Sequence, residues 1–420
     1  MATNRIGLRH DTESNWEINN PTLLADETVI VDDTGEVVRG TGAAYNTDHD
    51  NVGYLNLDSV PGYDSTGPTI IVADTLRASV EAASGGRVTV LYDDLGLPSY
   101  MVRIPAFNVE DIHSDYGSGR HPAFVVNGVK KPEIFIGMHQ AHVYQNRALS
   151  LPGLDPTTSI DYDTAALRCS AKGSGWHLMT NWEWAAVALW VLKQTEDGIL
   201  AGQPRGNTNY GRSHEEYQET GTRQDGGTYN PGEAAGSARI LTGSGPATWR
   251  HDLSSFGISD LVGNIWEWVG GLKTDGGRIY MPADNHWGLA ESSWPATSVY
   301  VAKDGTTPRL SDAPNEISED YVYEWWRSLS ITAGYGALPL ATREQMMQAL
   351  IAPRLTDAAT DPFTTHAEGR FYIRTADERV PLRGGSWFDG SVAGLGALNL
   401  HYLRSASSTR IGFRPAFVAP

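Results

Sequence analysis

Asp260-Leu-Val-Gly-Asn-Ile-Trp-Glu-Trp-Val269 sets a Gly-Asn turn ahead of a short apolar run. A strand alternates its side chains between two faces, so Trp266 and Trp268 point the same way and form one large packing element. The stretch reads as a core strand rather than a stacking surface for sugars or bases. Further back, Thr180-Asn-Trp-Glu183 fits a capping box, in which hydroxyl and carboxylate each accept from the other residue's free backbone N–H. The helix behind it, through Trp184, Ala188, Leu189 and Leu192, is apolar on nearly every side and is expected to be buried. Asp163 is a candidate cap for an earlier helix ending at Gly173, and Thr342 with Gln345 repeats the box before Met346, Met347 and Leu350. Strands are expected over residues 100–104, 123–126 and 133–136.

The chain has 420 residues, more than one ordinary core organises, so two or three units are expected. Residues 1–55 are short strands such as 27–31 between turns at Asn20-Pro21, Asp32-Asp33-Thr34-Gly35, Gly40 and Gly42. A segment this short and polar is expected to gain stability from other copies of itself or from a partner. Residues 56–97 read as a small connecting αβ unit, with a strand over 69–73, a helix over 76–83, Gly85-Gly86 and a strand over 87–92. Residues 98–420 form the large remaining unit. Within it, Gly202 to Gly245 is rich in Gly, Asn, Ser and Thr and reads as a surface insertion.

A net charge of −18 (32 basic against 50 acidic residues) repels phosphate backbones and anionic lipid, which argues against nucleic-acid and membrane binding. The single Cys169 allows no intrachain disulfide and no cysteine-based zinc cluster, and reads as a small buried apolar residue. The opening residues lack the pattern of a secretory signal, so no such export is expected. The longest apolar run, 184–192, is under half the roughly 20 residues of a spanning helix. Nucleophile-elbow, phosphate-loop, dinucleotide and zinc-protease motifs are all missing. His139 with His142, and Asp260 with Glu267, could be named as metal or acid/base pairs, but their settings favour ordinary structural roles.

Three motifs occur in order: Gly173-Ser-Gly-Trp-His-Leu-Met-Thr-Asn-Trp-Glu-Trp-Ala-Ala186, Asp260-Leu-Val-Gly-Asn-Ile-Trp-Glu-Trp268, and Leu382-Arg-Gly-Gly-Ser-Trp387 with Ile411-Gly-Phe-Arg414. Together they resemble the C-type lectin fold of the formylglycine-generating-enzyme (sulfatase-modifying) type, an α+β fold. Pro204-Arg-Gly-Asn-Thr-Asn-Tyr-Gly211 and Leu241-Thr-Gly-Ser-Gly-Pro246 are similar to the variable proteins of diversity-generating retroelements, of the phage tropism-determinant type. The small β-rich start, with Arg5-Ile-Gly7, Trp16, Leu23-Leu24 and Asp33-Thr-Gly35, resembles the start of phage tail-fibre proteins.

The resemblance implies a receptor-binding tail-fibre protein, made in the bacterial cytoplasm and carried on the virion tail. Its implied partners are phage tail proteins, a host cell-surface protein or glycan, and two further copies of itself in a homotrimer. No enzyme activity and no cofactor are implied. Structural calcium occurs in related folds, but no acidic cluster with diagnostic spacing marks a site here. The family's oxidases use a cysteine pair that this chain lacks. An oxidase relative or a glycosidase stays as the enzymatic alternative, and a cellular diversified binding protein as the third reading.

Residues 382–414 split into two interleaved sets. Gly384, Gly385, Trp387, Gly394, Leu395, Ala397, Leu398, Leu400, Ile411, Gly412 and Phe413 suit a framework. Phe388, Asp389, Val392, His401, Tyr402, Ala406, Ser408, Thr409 and Arg410 follow no single polarity or period and are the candidate ligand-binding residues. In the family such positions correspond to template asparagine codons rewritten at their adenines. All nine residue types are reachable that way, whereas Lys, Glu, Gln, Met and Trp are not and do not occur from Phe388 to Arg410. Phe388, Tyr402 and Arg410 are the expected anchors, because aromatics and Arg bring large contact area or forked hydrogen bonds.

Overall fold

The computed structural model describes three short strands within residues 9–39 and residues 74–420, except 228–237, 315–316, 327, 329–334 and 355–368. The chain divides into two compact units, 1–73 and 74–420. In the first, Arg9–Asp11 pairs in parallel with Thr28–Val31, which pairs antiparallel with Val37–Arg39. The strand expected over 69–73 and the turns expected before residue 55 lie outside the described residues.

The second unit is mixed α+β, as expected, and is built on three main sheets. One is antiparallel, in the order Trp176–Leu178, Pro415–Phe417, Glu133–Gly137, Pro98–Pro105, Val88–Tyr92. Val88–Tyr92 is therefore an edge of the same sheet as Pro98–Pro105, and helix Thr75–Ser84 belongs to this unit too. Residues 74–97, expected in a connecting unit, are thus part of the large one. The second sheet has six strands, in the order Val322–Trp325, Arg370–Ile373, Gly394–Leu400, Leu382–Gly384, Trp266–Trp268, Ile411–Phe413. A third, five-stranded sheet runs from Thr307–Ser311 to Glu378–Arg379. Of the expected strand over 123–126, only Val125–Val126 is extended; Pro122 starts a 3-10 turn instead, its fixed φ suiting that turn's first position.

Helix Asn181–Glu196 forms behind the expected box: Glu183 N donates to Thr180 Oγ1 at 3.2 Å and Thr180 N donates to Glu183 Oε2 at 2.8 Å. Its residues 181–189 are all buried. The two other caps differ from expectation. Asp161, not Asp163, caps helix Tyr162–Ser170 by accepting from Thr164 N at 2.8 Å, which leaves Asp163 on the first turn to pair with Arg404. Helix Leu340–Gln348 begins directly after Pro339 without a side-chain cap, so Thr342 lies inside it.

Trp266 and Trp268 share one face and pack in a cluster with Tyr372, Leu382, Ala397, Ile411 and Phe413. Glu267 faces the other way and meets Arg414 in a fully buried ion pair, with Nε to Oε2 at 3.0 Å and Nη2 to Oε1 at 2.7 Å. The guanidinium also donates to the carbonyls of Gly137 and Ser259, both at 2.8 Å, and Gln140 Nε2 donates to Glu267 Oε1 at 3.0 Å. Gln140 in turn accepts from Asn264, whose left-handed backbone (φ 60°) places its side chain against Ile240 and Asn207. Asn207, Thr208, Ser213 and Thr242 are buried, so part of the expected surface insertion is internal polar structure, while Glu215 to Gln218 are exposed as expected.

Two outcomes follow from these buried groups. Arg414→Ala strands Glu267 without its partner and should cost about 3–5 kcal/mol, read as a lower urea midpoint at unchanged m; a loss below about 1 kcal/mol would show the pair to be dispensable. Burial also holds the imidazoles of His121 and His251 down at about 4, against an ordinary value of 6.5. Between those values the unfolded chain binds more protons than the folded one, so stability should fall as pH drops from about 6.5 to about 4. His121→Gln should flatten that slope in unfolding titrations, and an unflattened slope would contradict the depressed pKa.

Candidate ligand-binding surface

Residues 382–413 run through three strands of the six-stranded sheet. Leu382–Gly384 turns back into Gly394–Leu400, every residue of which is buried. The reversal needs Gly384 and Gly385, with φ of 89° and 93°; a Cβ at Gly384 would also lie 2.5 Å from the Leu261 carbonyl oxygen. Ile411–Phe413 then runs parallel to Trp266–Trp268, and so in the same direction as Gly394–Leu400. Residues 401–410 must therefore return along the sheet to begin the last strand, and Tyr402 and Ala406 pack against the Trp266–Trp268 cluster as they do so.

Both loops are held mainly through their main chains. Trp387 N donates to Asn264 O at 3.0 Å, Tyr210 N to Trp387 O at 2.9 Å, and Gly390 N to Thr208 O at 2.9 Å. In the second loop the carbonyls of Tyr402, Arg404, Ser408 and Arg410 accept from Val380, Tyr162, Ser159 and Trp266 at 2.8–3.2 Å. None of these bonds depends on which side chain the loop carries. Arg404 is the exception as a fixed side chain, bound to Asp163, Glu291 and Glu378.

The two sets differ in burial. Of the framework set, all but the half-buried Trp387 are buried. Of the nine nominated residues none is buried: Phe388, 54% exposed, and Thr409 are exposed, and Asp389, Val392, His401, Tyr402, Ala406, Ser408 and Arg410 are half-buried.

Five of the nine, Asp389, His401, Tyr402, Ser408 and Arg410, line a recess of about 160 Å³. Phe388 stands beside it, with the Arg410 guanidinium 5.0 Å from its ring centre and Tyr210 edge-on at 5.9 Å. Val392, Ala406 and Thr409 lie outside the recess. Asp389 accepts from Ser386 N and Oγ, both at 2.7 Å, and from the Trp266 indole. Burial raises its pKa, against the lowering effect of the Ser386 bonds and of Arg410. The His401 ring lies 3.9 Å from that of Tyr402, and burial near Arg374 and Arg379 holds it at about 4, so it is neutral at neutral pH.

The remaining aromatic walls, Trp266, Tyr321 and Tyr372, were not among the nominated residues. Tyr321 stacks on Tyr372 (5.7 Å, 8°) and meets His401 edge-on at 4.8 Å, and burial pushes its hydroxyl up to about 12. Only Trp266 carried a sequence signal, as half of the paired-Trp strand. Tyr321 and Tyr372 are brought in by the two outermost strands at the other end of the sheet, Val322–Trp325 and Arg370–Ile373.

The alternative chemical sites do not assemble. His139 is buried against Ser259, and His142 Nδ1 bonds to the Asp155 carbonyl. Glu267 is locked to Arg414, while Asp260 is buried with its pKa raised by that burial. Cys169 is fully buried, which pushes its thiol pKa far up and suits a packing residue rather than a nucleophile. Among the described residues no three His, Cys, Asp or Glu side chains are placed to hold a metal ion, and no helix is long and apolar enough to cross a membrane.

No protein-family model matches the chain, and no curated protein does. Among solved structures the chain is similar to the Major Tropism Determinant U1 Variant, at 12% identity over 98% of both chains with a TM-score of 0.27. It is also similar to PvdO from Pseudomonas aeruginosa, at 14% identity over 78% of this chain and 97% of that one, TM-score 0.30. A third is Treponema denticola variable protein 1, at 12% identity over 79% of this chain and 98% of that one, TM-score 0.29.

Proposed function

We propose that this chain is a ligand-binding protein of the retroelement-diversified kind, built on a C-type lectin fold, that displays exchangeable side chains on a fixed C-terminal scaffold. Its proposed place is a phage tail fibre, where it selects the host-cell receptor. The reading includes no catalytic role. The observation that carries it is that the nine nominated residues, all of types reachable by adenine rewriting, each keep solvent-facing surface, while the glycines and aliphatics between them are buried. The main-chain anchoring of both loops supports the same reading, because a backbone held this way keeps its path when side chains change. We also assign the chain to a homotrimer, in which three weak sites act together through avidity. A near-copy of the 388–410 coding segment beside a reverse transcriptase gene, with adenines at the nine codons, is the genomic counterpart of this reading.

Phe388→Ala and Arg410→Ala should each abolish attachment to the recognised cell surface while moving the melting temperature by no more than about 2 °C, because neither is a core residue. Tyr402→Ala should lose attachment and also about 1 kcal/mol of stability, since its ring packs against the Trp266–Trp268 cluster. Undiminished attachment of the first two variants would remove the binding site from this surface. Light scattering should give three chain masses at micromolar concentration, and a monomer would refute the trimer.

A further inference from the structure

The recess continues into an aromatic edge that lies outside the diversified segment. Tyr323 and Trp325 alternate along the outermost strand of the six-stranded sheet and share a face, and Tyr321 immediately precedes that strand with its ring beside that of Tyr323. Tyr321 and Tyr323 are 41% and 44% exposed, with ring centres 5.5 Å apart. Arg370, from the neighbouring strand, lies 4.4 Å from the Tyr323 ring centre and 5.2 Å from that of Trp325. Among the described residues neither Arg370 nor Arg410 has a carboxylate within ion-pair distance. The nearby acids are engaged: Asp389 by bonds from Ser386 and Trp266, with the Arg410 charge acting on it from beyond ion-pair distance, Glu324 with the Trp325 N–H, and Glu319 with Arg374 and Arg379.

An aromatic row flanked by two unpaired guanidiniums has a definite complement. A cationic group would meet Arg370 and Arg410, and His401 already sits in a field from Arg374 and Arg379 that disfavours positive charge. Nucleic acid is disfavoured because its long phosphate backbone would lie along the wider surface of a chain of net charge −18 rather than in one recess. A recess of about 160 Å³ that presents Asp389, Asn399, Ser408 and Arg410 beside tyrosines suits one polyhydroxylated ring better than the apolar centre of a protein interface. Sugar C–H faces pack on aromatic rings, sugar hydroxyls bond to the polar walls, and a carboxylate takes a forked bond from Arg.

We propose that the recess and the 321–325 edge take an acidic oligosaccharide, with one ring against Tyr321 and Tyr372 and its carboxylates paired with Arg410 and Arg370. This rests on the binding role proposed above and names its ligand class. Arg410 belongs to the exchangeable set whereas Arg370 and the aromatic edge do not, so rewriting the nine positions changes which acidic glycan is preferred while Arg370 keeps the preference for acid.

The test titrates the full chain with sialyllactose and with oligogalacturonate, against neutral maltohexaose, by calorimetry and by Tyr/Trp fluorescence. At least one acidic probe should bind, with the neutral one weaker by about tenfold or more. Tyr321→Ala should lose about tenfold, Tyr321→Phe should keep the affinity, and Arg370→Gln should remove the preference for acid, all with unchanged melting temperature. Equal binding of acidic and neutral probes, binding of none, or full affinity in Tyr321→Ala would overturn the proposal. Attachment to cells that survives periodate but not protease would also overturn it and name a protein ligand, with the display role left standing. Attachment unaffected by Phe388→Ala and Arg410→Ala would instead refute the display role itself.

Discussion

The buried pair of Glu267 and Arg414 lies where the chain leaves the six-stranded sheet at Phe413 and enters the antiparallel sheet, between Trp176–Leu178 and Glu133–Gly137, at Pro415. Desolvating two charges costs several kcal/mol each, so such a pair persists only if every donor and acceptor is used. Here it is: each guanidinium nitrogen has a partner, and Gln140 supplies the carboxylate's further bond. The network continues through Asn264 to Asn207 and Ile240, so one polar chain ties the paired-Trp strand, the last strand and the segments around Asn207 and Ile240 into a single arrangement. A slip in register anywhere along it would leave a charge unpaired, which specifies one register more sharply than apolar packing does.

That rigidity has its use at the surface. The Gly263-Asn264 turn and the loop around Asn207 and Tyr210 are the two elements that hold residues 387–390 by their main chain. The position of the 387–390 loop is thus set mainly by buried amides and charges rather than by its own side chains. The second loop is pinned by four of its own carbonyls and by Arg404. In the proposed display role specificity and stability are carried by different atoms, although Tyr402, Ala406 and the carboxylate of Asp389 touch the framework and couple the two in part.

Features that depend on local chemistry were legible in the sequence. The Thr180/Glu183 box, the shared face of Trp266 and Trp268, and the inward or outward sense of residues 382–413 all follow from side chains within a few positions of one another. Misplaced features depended on distant partners. Asp163 carries the chemistry of a cap, but Asp161 caps the helix because Asp163 is drawn to Arg404, over two hundred residues away. The Gly- and Asn-rich stretch from Gly202 resembles a solvated insertion because composition does not distinguish polar groups bonded to water from polar groups bonded to each other. Tyr321 and Tyr372 carried no local signal at all, since only the strand order of the sheet brings them to the recess.

An acidic ligand and a chain of net charge −18 are compatible once distance is considered. At physiological ionic strength charges are screened over about 8 Å, so most of the chain's carboxylates are not felt at the recess. What a bound group meets is Arg370 and Arg410, both lying against aromatic rings that keep part of the water away, with Asp389 already engaged by Ser386 and Trp266. The long-range field opposes adhesion to anionic surfaces in general, and attraction begins only at contact. An overall repulsive protein with a locally attractive site rejects most of what it meets and holds what fits, so its selectivity rests on the short-range geometry of the recess and its edge.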